Sequence, residues 1–345
     1  MKIEKVIEKD KELWKDFVRE NCPTVGGFMQ SWEWGEFQEA RGRTIDRFFV
    51  VDGSEKVAAF TIVHYSLPLG MKYGYSPRGP VIALSSEDKF IEICEVIRQW
   101  ALKELSHLLF LRIEPALSCV PPGLIGKNFK IPSYYIQPKH NHVVSLGKSE
   151  EEILNSFHAS TRSNVRRAEK RGVTTQIKDK VTPDEYINFI EMMKDTCARN
   201  SDKNLYPSDE YFKSLFLVLS EDHSLDGKHR RLELSAFYGF CNGEPAATYF
   251  VLFFGDTATY LYGGSHAKYL SSKVTTYLHF EAMKEAKRRG MRFYDLGGID
   301  PVRWPTLTDF KRQFKGIEYS YIGNIDIPLR PFLYKIYNIV RFFKK

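Results

Sequence analysis

Two charged residues stand where the local pattern suits chemistry on an acyl group. Lys311 lies in TDFKRQF, a short amphipathic helix for which Thr308 is the expected cap and Asp309 the first-turn acid. Glu114 ends the apolar strand FLRIEP. A cation aimed at an oxygen that gains charge during attack on an ester carbonyl lowers the barrier. A carboxylate can hold an attacking ammonium and accept its proton. Residue type alone also allows plainer readings: a solvated lysine at 311, and a strand-end acid paired with Arg112 or a lysine at 114. Tyr260 and Tyr262 are next, placed on one face by strand alternation. Tyr211 in SDEYF, Arg199, and Arg78 in the turn SPRGP complete the polar candidates. Arg162, Arg166, Arg167, Lys170 and Arg171 form a basic helical stripe of the kind that binds phosphates. Core packing competes for the tyrosines, and a solvated face for the stripe.

The elements that must position Lys311 run from Thr259 to Gly316. Thr259 to Tyr262 reads as a strand stopped by Gly263-Gly264. Ser271 or Ser272 is the expected cap of a helix whose Val274, Leu278, Ala282 and Ala286 form an apolar stripe. Lys287, Arg288 and Arg289 suit its last turn, and Gly290 is the left-handed stop. Met291 to Leu296 reads as a second strand, ended by Gly297-Gly298. Strand, helix, strand at this spacing predicts a parallel crossover, and ligands of such sheets sit beyond the strand ends. GGS, LGG and TDFKRQF are therefore expected around one cleft.

The same order occurs earlier. Arg47 to Val51 and Lys56 to Ser66 are strands joined by Asp52-Gly53, a hairpin signal. Lys72 to Ser76, a helix from about Ser86 to Leu105, and Leu108 to Ile113 follow. In the second half Leu232 to Phe240 and Pro245 to Phe254 are joined by Asn242-Gly243. Two copies of hairpin, third strand, helix and parallel strand imply a duplication in the element order of the GNAT acyltransferase fold. The fold class is α/β (α+β): two tandem GNAT-like domains with mixed sheets, expected over 1–145 and 146–316, with 317–345 packing back on the first. Between the copies, helices are expected over Ser149 to Phe157, Ser160 to Arg171, Pro183 to Arg199 and Ser208 to Ser220, with Glu221 to His229 a polar loop.

The chain has 345 residues and a formal charge of +7. Five of its cations and no acid lie from Ile327 onward, so the body is not a bulk nucleic-acid binder and any RNA contact is local. Its five cysteines form no CxxC pair, which fits a reducing cytoplasm. The charged N-terminus does not read as a signal peptide, and no apolar run reaches membrane-span length. The tail PLRPFLYKIYNIVRFFKK is amphipathic, with Phe332, Ile336, Ile339 and Phe343 on one side. It suits either an anionic bilayer or docking on the first domain.

The phrases YLYGGS, HFEAMKEAKRRG, FYDLGG, DFKRQFKG, QSWEWGEFQ, SPRGPV, FLRIEP and TRSNVRRAEKRG, from about Phe28 to Gly316, resemble the FemABX family. That resemblance implies an aminoacyl-tRNA-dependent aminoacyltransferase building the interpeptide bridge of bacterial peptidoglycan, hence cell-wall biogenesis and cell shape. It resembles the short type, without a coiled-coil arm. It implies Lys311, just after Phe310, as the oxyanion cation, and Glu114, where members commonly have Asp, as the acid at the amine. It implies Tyr211 near the acceptor pyrophosphate. Pro207 stands where members often have an arginine, which leaves Arg199 for the phosphate. Tyr260, Tyr262, Phe310 and Arg78 would line the acceptor, and Arg162, Arg166 and Lys170 would meet tRNA or phosphate. The implied partners are aminoacyl-tRNA, as co-substrate, and lipid II or a nucleotide-linked pentapeptide precursor. No metal or nucleotide cofactor is implied, and the expected location is cytoplasmic, peripheral on the membrane's inner face through 327–345.

No phosphate loop, GxGxxG or Ser-His-Asp set is evident, so direct attack is expected rather than a covalent acyl-enzyme. SHAKYLSSK lacks the glycines of an acyl-CoA turn. The rival readings are an acyl-CoA-dependent acyltransferase acting on a cell-surface glycan or lipid, and a non-catalytic binding module.

Overall fold

The computed structural model describes residues 1–124, 129–199, 207–219 and 231–343. The chain divides into two compact units, Met1–Lys139 with Ser320–Lys345, and His140–Tyr319. The first unit opens with β1 (Lys2–Lys5), α1 (Lys11–Asn21) and α2 (Trp32–Ala40), the last capped by Ser31, whose side chain accepts from the Trp34 amide. The hairpin of β2 (Ile45–Asp52) and β3 (Glu55–Ser66) turns at Gly53, with φ +61°. Then come β4 (Lys72–Ser76), β5 (Val81–Ile82), α3 (Phe90–Glu104) and β6 (Phe110–Ile113). β4 and β6 pair in parallel, and α3 buries Ile93, Cys94, Ile97 and Ala101 among Phe60, Ile62 and Leu111. α3 starts later than the sequence predicts, because a 3-10 stretch with non-helical Ser86 precedes it.

The second unit comprises β7 (His140–Ser145), α4 (Glu150–Ser156), α5 (Ala159–Lys170), β8 (Thr174–Lys178), α6 (Pro183–Arg199), α7 (Asp209–Leu219), β9 (Glu233–Cys241), β10 (Glu244–Phe254), β11 (Thr257–Ser265), α8 (Val274–Arg288), β12 (Phe293–Ile299), α9 (Pro305–Arg312) and β13 (Ile317–Ser320). Its sheet order is β13-β7-β12-β11-β10-β9-β8, with β11 and β12 parallel. Asn242 and Gly243 both take positive φ, which a tight hairpin with matching twist requires. The chain returns to the first unit through β14 (Ile325–Pro328), antiparallel to β6, and α10 (Pro331–Phe343). The first sheet is β1-β2-β3-β4-β6-β14, with β5 on β3. Hairpin, third strand, helix and parallel strand thus occur twice, in two mixed sheets. Among the described residues no helix is long and apolar enough to cross a membrane.

Several local expectations change. The unit boundary falls at 139/140 rather than 145/146, because β7 pairs with β12. β8 is an edge strand that the sequence reading passed over. Gly263-Gly264 do not stop β11, which runs through both and pairs with Tyr249 and Thr248. Their bareness serves packing: a Cβ on Gly264 would lie 2.7 Å from the Met192 and Met193 backbone, so α6 crosses naked strand there. β12 likewise runs past Gly297, which takes φ +84° beside a register shift. α8 follows a 3-10 stretch and left-handed Lys273, not a serine-capped start, though Ser272 Oγ still accepts from the Val274 amide at 3.3 Å. The expected polar loop Glu221 to His229 lies outside the described residues.

Candidate active site

In the second unit α9 holds Lys311 5% exposed, contrary to the solvated reading. Its Nζ donates to the Gly298 carbonyl oxygen at 2.7 Å. The irregular end of β12 makes this contact: Gly297 takes positive φ, and a Cβ there would stand 3.3 Å from Nζ. Burial pulls the ammonium pKa from its usual 10.5 down to about 8, against the attraction of Asp295. Asp295 is itself fixed, accepting from the Gly297 amide at 2.7 Å and from Asn141 Nδ2 at 3.1 and 3.2 Å. Thr308 does not cap α9, which begins at Pro305. Its hydroxyl accepts from the Asp300 amide at 2.9 Å and pins the preceding loop. Asp309 consequently lies beyond the first turn.

Two imidazoles near Lys311 were not singled out in the sequence. His279, on α8, is buried with its ring centroid 4.7 Å from Tyr260, 5.7 Å from Phe310 and 5.3 Å from Phe314. Nδ1 lies 3.1 Å from the Tyr294 hydroxyl. Burial, then the charge of Lys311, holds its pKa well below normal. His142, on β7, is buried with neither ring nitrogen hydrogen-bonded, and burial lowers its pKa to about 4. Both rings are neutral at physiological pH, and Asp295 is the anion whose attraction acts on Lys311. The signal for His279 was a polar residue beside the apolar stripe of α8; the buried Asp295 sat inside FYDLGG.

Tyr260 and Tyr262 do not share a face. Tyr262 opposes Phe250 while Tyr260 opposes Val251, so Leu261 is an extra residue and the bulge reverses the alternation. Tyr260 joins His279 and Tyr249 on the α8 side. Tyr262 lies on the other side, donating to the Tyr211 hydroxyl at 3.2 Å and packing on Phe212. Arg199 binds the Ser265 carbonyl at 2.9 Å and its hydroxyl at 3.0 Å, tying α6 to the end of β11. Lys311, Phe310, Tyr260 and LGG therefore come together, while GGS, Tyr211, Tyr262 and Arg199 gather across the sheet. On α5, Arg162 donates to the Asn155 and Phe157 carbonyls at the end of α4. Arg166 and Lys170 are exposed beside it, lining a shallow recess of about 380 Å³ with Arg167.

The first unit holds Glu114 fully buried at the end of β6. Its partner is not Arg112, which pairs with Asp326 at 2.6 Å. Tyr75 Oη donates to Glu114 Oε2 at 2.5 Å, and Arg78 Nη1 lies 3.8 Å from Oε1. Burial raises the carboxyl pKa, opposed by Arg78 and Tyr75. Arg78 is 2% exposed, with φ +53°, and donates through Nη2 to Pro138 O at 2.7 Å. Glu114 Oε1 and Arg78 Nε and Nη1 are buried without hydrogen-bond partners, an arrangement that a ligand's polar group would complete.

The FemAB family model matches residues 10–121, 125–225 and 228–341. A lipid II:glycine glycyltransferase of Staphylococcus haemolyticus (strain JCSC1435) is 24% identical over 388 residues, covering 92% of this chain and 91% of the relative. One from Staphylococcus aureus (strain MRSA252) is 24% identical over 400 residues, covering 94% and 93%. The crystal structure of FemX superposes with a TM-score of 0.79 at 20% identity, covering 98% of this chain and all of that one. A tandem GNAT protein from the clavulanic acid biosynthesis pathway gives 0.55 at 12% identity, covering 96% and 99%. The chain belongs to the FemAB family.

Proposed function

We propose that this chain moves an amino acid from aminoacyl-tRNA to the stem-peptide amine of a lipid-linked peptidoglycan precursor, at the cytoplasmic side of the membrane. The chain is an enzyme of the acyltransferase type, and its relatives are named lipid II:glycine glycyltransferases. The observation that carries the reading is Lys311: a buried ammonium with one donor on Gly298 O, at the irregular end of a strand. An ammonium has three donors. In this mechanism the acceptor amine attacks the ester carbonyl, the new C–N bond forms, and Lys311 donates to the oxygen as it becomes negative. The C–O bond then breaks, and the ribose hydroxyl leaves with a proton. Asp295 acts as a positioning residue that keeps Lys311 charged, and the neutral His279 and His142 add no competing cation. In the first unit, Glu114 receives the proton or holds the amine, with Arg78 beside it. Tyr260 and Phe310 wall the lysine, Tyr211, Tyr262 and Arg199 on the other side of the sheet meet parts of the acceptor remote from the reacting amine, and Arg162, Arg166 and Lys170 meet phosphate.

The likeness to a tandem GNAT protein favours one rival, an acyl-CoA-dependent acyltransferase. Thermal shift separates the two. The proposal expects the melting temperature to rise with charged tRNA and not with coenzyme A. A rise with coenzyme A alone refutes it.

A further inference from the structure

α10 has two contrasting faces. Tyr334 is buried on Leu109 and Phe110, with Leu333 and Tyr337 beside it, and its hydroxyl donates to Asp326 Oδ2 at 2.7 Å. The opposite face leaves large apolar side chains in solvent: Phe332 is 74% exposed, Ile336 43%, Ile339 57% and Phe343 81%. At 100° per residue these four fall within an arc of about 60°. The docked face anchors the helix, so this exposed arc is a fixed surface of the first unit.

Another exposed apolar side chain belongs to the same unit. Leu69, 95% exposed, tips the turn between β3 and β4 at φ +60°. The flanking Leu67 and Met71 pack into the same cluster as Leu333 and Tyr337. Exposed Lys335 lies on α10, and exposed Arg330 immediately precedes it. No Asp or Glu occurs from Ile327 to the end, or from His64 to Arg78. An apolar ridge on a basic segment that carries no acid of its own matches the boundary between anionic headgroups and acyl chains. It suits a second copy of this chain poorly, because a twofold pairing through this face would bring the cations together.

We propose that α10 seats the protein on an anionic bilayer, with Phe332, Ile336 and Ile339 entering the surface. This goes beyond the transfer reaction and does not rest on it. The test is co-sedimentation of the full chain with vesicles of phosphatidylcholine alone or with phosphatidylglycerol, lacking any precursor. Binding is expected with phosphatidylglycerol vesicles, weakening as salt is raised. The triple variant Phe332→Ser, Ile336→Ser, Ile339→Ser should reduce it about tenfold or more while keeping the melting temperature, since those side chains are exposed. Lys335→Glu alone should weaken binding by a smaller factor. Absence of binding to phosphatidylglycerol vesicles, or equal binding by all three proteins, overturns the proposal. So does wild-type self-association that the triple variant abolishes. Transfer to a precursor without its lipid is read separately, so failure of the bilayer contact and failure of the transferase reading are distinguishable.

Discussion

Replacing Lys311 by Met should move stability and activity in opposite directions. Methionine keeps an unbranched stem of similar length and removes the charge. The fall in the Lys311 pKa from 10.5 to about 8 corresponds to a cost of about 3 kcal/mol for holding the ammonium in the folded protein at neutral pH. The variant removes that cost and leaves Gly298 O without its donor, a loss of about 1–2 kcal/mol. The net expectation is a gain of about 1–2 kcal/mol, or a few degrees in melting temperature. The folded pKa lies below the unfolded one, so the wild type carries the full cost below about pH 8 and progressively less as pH rises towards 10.5. The stabilisation by Lys311→Met should fade over that window. Transfer should fall about 100- to 1000-fold, the usual loss on removing one oxyanion donor. The assay pairs denaturant unfolding at several pH values with kcat/KM for aminoacyl transfer. A destabilised variant with unchanged kcat/KM would refute the reasoning, because that is how a structural lysine behaves.

Transfer by the wild type should decline as pH rises through about 8, because Lys311 acts as a cation, and Lys311→Arg should lose that limb in whatever activity it retains; a wild-type profile flat through pH 8 contradicts the assignment. Gly264→Ala puts a Cβ 2.7 Å from the backbone of α6, which cannot swing aside, and should cost about 1–3 kcal/mol by thermal melting. Arg112→Ala strands the buried Asp326 carboxylate, which now accepts from Arg112 Nε and Nη2 at 2.6 and 2.7 Å. Denaturant titration should show a loss of about 3–5 kcal/mol, and an unchanged midpoint would mean that this pair does not hold β14 on β6.

Much of the architecture was legible because its signals are local. Asp52-Gly53 and Asn242-Gly243 mark their hairpins through the conformations those residues tolerate, and the helix over Pro183 to Arg199 shows in its periodicity. The duplicated element order was readable for the same reason. What escaped depends on neighbours far along the chain. The bulge at Leu261 is set by pairing with β10, and it places Tyr260 and Tyr262 on opposite faces. Gly263-Gly264 and Gly297-Gly298 look like stops, yet they admit α6 and Lys311. Arg112 and Asp326 are 214 positions apart. Lys311 itself reads by residue type as a surface lysine; the role proposed for it rests on the DFKRQFKG resemblance, and its burial comes from the LGG strand end.

The central claim is that an amino acid leaves a tRNA ester for a precursor amine while a buried ammonium meets the charge on the carbonyl oxygen. Mass spectrometry of purified lipid-linked precursor, incubated with the protein and a pool of charged tRNAs, tests it most directly. The precursor should gain the residue mass of an amino acid only when the tRNA is charged, and Lys311→Met should nearly abolish the gain. No gain from any charged tRNA, with an acyl group instead appearing on addition of acyl-CoA, would contradict it.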